Sequence, residues 1–295
     1  MKKLLKIEVV KKLNVVLGNC SNTMVVLAGC GGTGGFIAWN IARIASHMLN
    51  KHKKLLDITF VDPDIVEKKN VGRQNFCEAE IGLPKAEALS VRYNLAYGLN
   101  IKYLRGEVGE LTHELIKDQE ERRLIVIGAV DTKRGRRQIV ELVDAYDTRC
   151  EVWWLDCGNE KDAGQVLLGN KFWKSKRRFN REAESGRCSQ IPMPSIQQPD
   201  LVRGKDEVKR IPCAEQVALE AQSLMVNQVM GTMASQYLYK MIVKQKVDIY
   251  RTYVDLKTMG MRSDPITAHV WDGIVGRYDR ERGYIDTPAK QRTAA

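Results

Sequence analysis

Apolar residues in the first 170 positions fall into two alternating patterns. Short, mostly apolar runs, at Thr23 to Ala28, Leu55 to Val61 and Leu124 to Val130, have the look of strands buried on both faces. Between them apolar positions recur every three or four residues, as at Phe36, Ile37, Ile41, Ile44 and Met48, which is the spacing of one face of a helix. The predicted order is strand 23–29, helix 33–49, strand 55–61, helix 84–97, strand 101–104, a helix near 108–119, strand 124–130, helix 133–147, strand 151–156 and strand 164–168. A long helical pattern over 214–243, with a break near Gly231, and a strand over 249–256 follow. Such alternation predicts an α/β, Rossmann-like fold: a mostly parallel sheet with helices on both faces.

The turn joining the first predicted strand to the first predicted helix carries candidate chemistry. Gly29, Gly31 and Gly34 stand at the spacing G-x-G-x-x-G, with Gly32 between them. A glycine-rich turn lets backbone N–H groups approach a phosphate, and the helix N-terminus adds partial positive charge. The same turn with no ligand is the bland alternative. After the second strand come Asp62, placed for ribose hydroxyls, then Asn70, Arg73 and Gln74, and Lys85 at a helix opened by Pro84. A guanidinium and an ammonium beside a phosphate-binding turn suit a polyphosphate, whose charge both offset. Asp131, at the carboxyl end of the next strand, is placed to share a magnesium ion with phosphates or to cap the helix that follows.

These residues resemble the ThiF-like adenylating enzymes, which activate ubiquitin-like proteins and sulfur carriers. The resemblance spans roughly residues 23–169 and 211–245. It likens Gly29, Gly31, Gly32 and Gly34 to the family's nucleotide loop and Asp62 to its ribose ligand. Asn70, Arg73, Gln74 and Lys85 resemble its triphosphate-binding set, and Asp131 its magnesium aspartate. The phrases Trp-Leu-Asp-Cys-Gly-Asn at 154–159 and Gly-Gln-Val-Leu-Leu-Gly at 164–169 are most similar to the small ThiF-like proteins of PRTRC-type plasmid clusters. The resemblance implies a single adenylation domain over 1–275, a homodimer, ATP and Mg2+, and a small ubiquitin-like partner ending in glycine, with a conjugating enzyme as a further partner. Two departures stand out. The seven cysteines include no Cys-x-x-Cys pair, so no structural zinc is expected, and residues 1–28 lack the arginine that many dimeric members reach into the partner's site.

Composition narrows the setting. The chain has 295 residues, 44% of them hydrophobic, no apolar run long enough to span a bilayer and no secretory leader pattern, so a cytoplasmic protein is expected. Net charge is +11, and residues 171–212 hold eleven Lys or Arg against five Asp or Glu with four of the eight prolines. This segment is expected to be a flexible basic crossover loop that docks an acidic partner or simply faces solvent. No nucleic-acid-binding motif is present, and residues 276–295 are expected to be disordered.

Cys213, in Ile-Pro-Cys-Ala-Glu-Gln, stands just ahead of the long helical pattern, where the helix dipole lowers a thiol's pKa. It resembles the family cysteine that takes the acyl group in some members. Cys188 competes for that role, and adenylation needs neither. The expected reaction is attack of a C-terminal carboxylate on the ATP α-phosphorus, with Arg73 and Lys85 stabilising charge, Asp131 placing the metal and thioester transfer to a cysteine as an optional second step. The alternatives are a nicotinamide-dependent oxidoreductase, in which Arg73, Lys85 and Asp131 have no task, and a nonenzymatic nucleotide-bound scaffold.

Overall fold

The computed structural model describes residues 11–18, 20, 22–115, 122–146, 150–171, 184–206, 224–268 and 273–274. Eight strands form one sheet. Four of its parallel strands are β2 (Asn22–Ala28), β3 (Asp57–Val61), β4 (Lys102–Leu104) and β5 (Arg122–Gly128), and the fifth is β6 (Val152–Asn159). Antiparallel β7 (Ala163–Asn170), β10 (Ile249–Asp255) and β11 (Gly260–Pro265) extend it, giving the order β11-β10-β7-β6-β5-β2-β3-β4. A three-stranded ribbon of β1 (Asn14–Val16) between β8 (Arg187–Cys188) and β9 (Lys246–Val247) ties Leu13, Val15 and Leu17 into the core.

The central strands read as continuous apolar runs because helices cover both faces. On one face α1 (Gly32–His52), α2 (Lys85–Tyr97) and the long C-terminal helix α6 (Leu224–Ile242) pack over Val25, Leu27, Ile125, Ile127, Trp153 and Leu155. On the other, α3 (Val108–Leu115) and α4 (Lys133–Ala145) cover Met24, Val26, Leu124, Val126 and Trp154. β2 connects through α1 to β3 on one side, while β5 lies on its other side. The strand order therefore reverses at the carboxyl end of β2, where open α/β sheets form a ligand crevice.

Most predicted elements appear within a few residues of their expected bounds. Two expectations change. Residues 188–198, inside the segment expected to be a flexible loop, are buried or half-buried against the sheet, with the short helix α5 (Pro194–Gln197) and buried Cys188, Ile191 and Met193. Gln197 Nε2 donates to the carbonyls of Leu168 and Pro192 at 2.8 and 2.7 Å, and Asn170 Oδ1 accepts from the Ile191 N–H at 2.7 Å. Irregular backbone is buried here because side chains supply its hydrogen bonds, a solution that leaves no periodicity to read. Two parts of that segment, 172–183 and 207–212, lie outside the described residues, as do Cys213 and the tail 276–295.

The second change is at Gly231, where the expected break does not occur and α6 continues. A Cβ at Gly231 would stand 2.7 Å from Cβ of Phe36 and 3.2 Å from the Thr33 carbonyl. The glycine lets α1 and α6 approach backbone to backbone. Gly231→Ala is expected to destabilise the protein although alanine is favoured in a helix interior by about 1 kcal/mol, because crowding costs about 1–3 kcal/mol. Chemical unfolding measures the net sign, and a stabilised variant would mean the two helices part freely.

Candidate functional site

The cleft begins at the turn between β2 and α1. Gly29 has φ 89°, a conformation glycine adopts without strain, and a Cβ there would meet the Ala129 carbonyl at 2.5 Å. A Cβ at Gly34 would stand 1.9 Å from the Gly29 carbonyl, so α1 starts directly on the strand end. Gly31, Gly32 and Thr33 face a cleft of about 1120 Å3 whose walls also include Asp62, Arg73, Gln74, Lys85, Asp131 and Arg136. Gly34 and Asn70 do not line it; Gly34 serves the close packing beneath the turn.

On the β3 side, Asp62 is buried, and its Oδ2 accepts from the Cys30 N–H at 2.6 Å while Oδ1 accepts from the Asp64 N–H at 2.9 Å. Burial raises its pKa above the usual carboxylate value; the two N–H groups and the charge of Lys85 oppose that without cancelling it. Lys85 opens α2 and is itself buried, its Nζ 2.8 Å from Asp64 Oδ2. Arg73 and Gln74 sit on a loop pinned at both ends. Asn75 Nδ2 donates to the Gly35 carbonyl at 3.0 Å, tying the loop to α1. Arg92 on α2 donates through Nε to Glu80 Oε1 at 2.8 Å and through Nη1 to the Asn75 carbonyl at 3.0 Å.

Asn70 has a positioning role in this structure. It is buried, its Oδ1 accepts from the Glu67 N–H at 2.8 Å and its carbonyl accepts from the Gln74 N–H at 2.8 Å. It therefore shapes the turn that presents Arg73 and Gln74 instead of facing the cleft. Gln74 Oε1 is buried with no partner among the described residues and lies 3.9 Å from where a Gly31 Cβ would be. Its Nε2 lies 4.0 Å from the same point, so the amide already offers its NH2 to the glycine turn, as a phosphate oxygen requires.

On the β5 side, Asp131 is exposed at the mouth of the cleft. Capping of α4 falls to its neighbour Thr132, whose Oγ1 accepts from the Gly135 N–H at 3.1 Å, and to Asp206, whose carboxylate takes the Lys133 and Arg134 N–H groups. Asp131 is left available for another partner. No group of three or more His, Cys, Asp or Glu stands together for a metal among the described residues. A lone carboxylate nevertheless fits magnesium, which completes its shell from substrate phosphates and water.

Several cleft residues had no signal in the sequence. Thr33 Oγ1 lies 3.1 Å from both Asn159 Oδ1 and Asn227 Oδ1, and Asn159 Nδ2 donates to Asn227 Oδ1 at 3.0 Å, which joins α1, β6 and α6. Gly32 makes room for this cluster, since a Cβ there would be 2.7 Å from Asn227 Nδ2. Arg136 reaches from α4 to buried Asp156 on β6, with Nε 3.1 Å from Oδ1. Of the thiols, Cys157 lines the cleft but is buried, and burial, reinforced by the charge of Asp156, pushes its pKa up. Cys188 is buried as well, its Sγ 2.8 Å from the Gln190 carbonyl.

A sequence model described as the ThiF family matches residues 14–269. Solved structures with the same fold include PaaA, at 15% identity and TM-score 0.50, covering 84% of this chain and 74% of that one. Escherichia coli MccB bound to ATP is 15% identical with TM-score 0.52 over 84% of this chain, and MccB with MccA is 15% identical with TM-score 0.50. In both cases the match covers 84% of this chain and 65% of the MccB chain, so this chain spans somewhat less than two thirds of MccB. Comparison with curated proteins finds no match. No helix among the described residues is long and apolar enough to cross a membrane.

The environment of Asp62 sets a pH dependence. Because its pKa is raised on folding, the folded state holds a proton that the unfolded state has released. The window runs from that raised value down to the unfolded carboxylate value, about 3.9. Stability from this group therefore grows as pH falls through the window, and at neutral pH its burial is a cost. Asp62→Asn removes the titration. The melting midpoint of the variant relative to wild type is expected to be highest near neutral pH and to decline on acidification; a difference independent of pH would contradict the assignment.

Proposed function

The chain belongs to the ThiF family, whose members are adenylating enzymes, and from that premise and the cleft we propose that it adenylates the C-terminal carboxylate of a small protein or peptide. The observation that carries this reading is the gathering of Arg73, Gln74, Lys85 and Asp131 around one glycine turn with Asp62. A nicotinamide site uses the turn and the acid and has no work for two cations and a second, exposed acid. Among the described residues the Arg73 guanidinium has no hydrogen bond or ion pair, which leaves its fork for phosphate oxygens.

In this reading Asp62 accepts the ribose hydroxyls and the N–H groups of the turn face the α-phosphate. Arg73, Lys85 and the Gln74 amide hold the β- and γ-phosphates. The carboxylate attacks the α-phosphorus, the bond to the bridging oxygen breaks, and pyrophosphate departs with that electron pair. Asp131 would hold a magnesium ion, which neutralises phosphate charge when bound. The protein's share is positioning and fixed electrostatics. MccB has been solved with ATP in one case and MccA in another, which supports ATP as nucleotide and a small polypeptide as partner here. A ubiquitin-like protein ending in glycine is the finer form of that partner, and a homodimer the finer form of the assembly.

Asp131→Ala is expected to lower ATP–pyrophosphate exchange by about a hundredfold or more, as loss of an electrostatic contribution at a reacting phosphate does. Its melting midpoint should stay near wild type because Asp131 is exposed. Exchange is assayed with ATP, magnesium and a panel of peptides ending in glycine or asparagine. Exchange near the wild-type rate would remove Asp131 from the site, and tighter binding of NAD than ATP by the wild type would favour the oxidoreductase.

Cys213 lies outside the described residues, and its role as acyl acceptor is proposed from the sequence alone. Cys213→Ser is expected to keep pyrophosphate exchange and lose a thiol-sensitive covalent adduct with the carrier. An adduct that persists in the variant assigns it to another residue.

A further inference from the structure

Arg136 is spent on neither the nucleotide nor a surface charge. It projects from the first turns of α4, is 8% exposed, and its Nε lies 3.1 and 3.4 Å from the two oxygens of Asp156, which is fully buried on β6. Only Nε is engaged among the described residues, so Nη1 and Nη2 keep up to four N–H donors. Arg136 lines the cleft, and a Cβ at Gly158 would come within 3.2 Å of Nη2, so the missing side chain leaves the open end of the fork uncovered at the end of β6. Burying an ion pair costs desolvation that the pairing alone seldom returns, and an apolar pair of the same volume often packs as well. Here the pair instead delivers a guanidinium, locked by one edge, into a cavity.

The sheet order says which group it meets. The segment after β3, with Asp62, Arg73 and the first residue of α2, Lys85, flanks the glycine turn on one side, and the start of α4 and the end of β6, with Arg136 and Gly158, flank it on the other. In displacement at phosphorus the entering and leaving oxygens are roughly in line on opposite sides. With pyrophosphate leaving toward Arg73 and Lys85, the nucleophile enters from the side of Arg136.

We propose that Arg136, held by Asp156, is the substrate-orienting residue that binds the attacking carboxylate. The fork takes one carboxylate oxygen and turns the other toward the α-phosphorus, offsetting the repulsion between two anions. The bound oxygen becomes the carbonyl oxygen of the acyl adenylate, and no proton or electron is exchanged with Arg136. The inference rests on the adenylation reading and adds the residue that recognises the acid.

The test uses the full-length wild type, Arg136→Gln, Arg136→Lys and the double variant Arg136→Gln/Asp156→Asn, which keeps a neutral hydrogen-bonding pair should the single change fail to fold. The probes are sulfamoyl-adenosine, which lacks an acyl group, and glycyl-sulfamoyl-adenosine, whose carbonyl oxygen stands for the bound carboxylate oxygen. Wild type is expected to favour the glycyl compound. Arg136→Gln and the double variant should lose that preference by about tenfold or more, as loss of a hydrogen bond to a charged group does. Affinity for sulfamoyl-adenosine should change by less than about twofold, within the scatter expected of a group that makes no contact with the nucleotide. Lysine, with its charge but no fork, should fall between the two. Equal losses for both probes would place Arg136 on the nucleotide or in the fold and overturn the proposal, as would an unchanged preference or a wild type with none. Failure of the wild type to bind sulfamoyl-adenosine at all would instead overturn the adenylation reading.

Discussion

The backbone of α1 crosses the end of β2 with no space for a side chain between them, and the rest of the cleft is built around that contact. A Cβ at Gly34 would overlap the Gly29 carbonyl, and one at Gly29 would overlap that of Ala129. The approach fixes where the first N–H groups of α1 point and places the Cys30 N–H on Asp62. The same closeness recurs one layer out. Gly231 lets α6 lie on α1, and that brings Asn227 against Gly32 and Thr33. A helix far along the chain thereby contributes to a turn formed near its start.

The loop with Arg73 and Gln74 and the segment around Asp131 reach this turn from opposite sides by different means. The first contains single turns of 3-10 helix and is held by polar contacts: Asn70 inside it, Asn75 to α1, and Glu80 with Arg92 to α2. The second is rigid because it joins a buried strand directly to a capped helix. Arg73 is thus positioned by hydrogen bonds, which reorganise at modest cost, whereas Asp131 and Arg136 are positioned by the core. Ligand-dependent adjustment is expected first on the Arg73 side.

What the sequence made legible follows the same division. The glycine turn, Asp62 and Asp131 stand at strand ends, visible as breaks in apolar runs, and Arg73, Gln74 and Lys85 fall between the second strand and the first residue of the next helix; apart from Gly34, all of them line one cleft. Asn70 belongs to the same stretch, but whether its side chain faces the cleft or folds back onto Glu67 depends on a turn geometry that spacing does not encode. Arg136, Asn159, Asn227 and Asp206 act through partners 20 to 194 residues away, and no local pattern announces such pairs. Edge strand β11 was missed for a complementary reason. Its first four residues are exposed, so Gly-Met-Arg-Ser carries no alternation of apolar and polar positions.

Acidic residues outnumber basic ones along the walls of the cleft, which raises the question of how it accepts a polyanion. Asp62 is screened by two N–H groups and the charge of Lys85, and burial moves it toward the neutral form. Asp156 faces Arg136 and is likewise pushed toward neutrality by burial, which outweighs the attraction of its partner. The charge of Asp62 is thus weak or compensated just where phosphate approaches, and that of Asp156 lies behind Arg136. Asp131 differs: it is exposed to water and pairs with no Lys or Arg among the described residues. Compared with Asp62 and Asp156 it is the acid better suited to carry full negative charge beside a polyphosphate, an arrangement that becomes favourable when a divalent cation lies between the two.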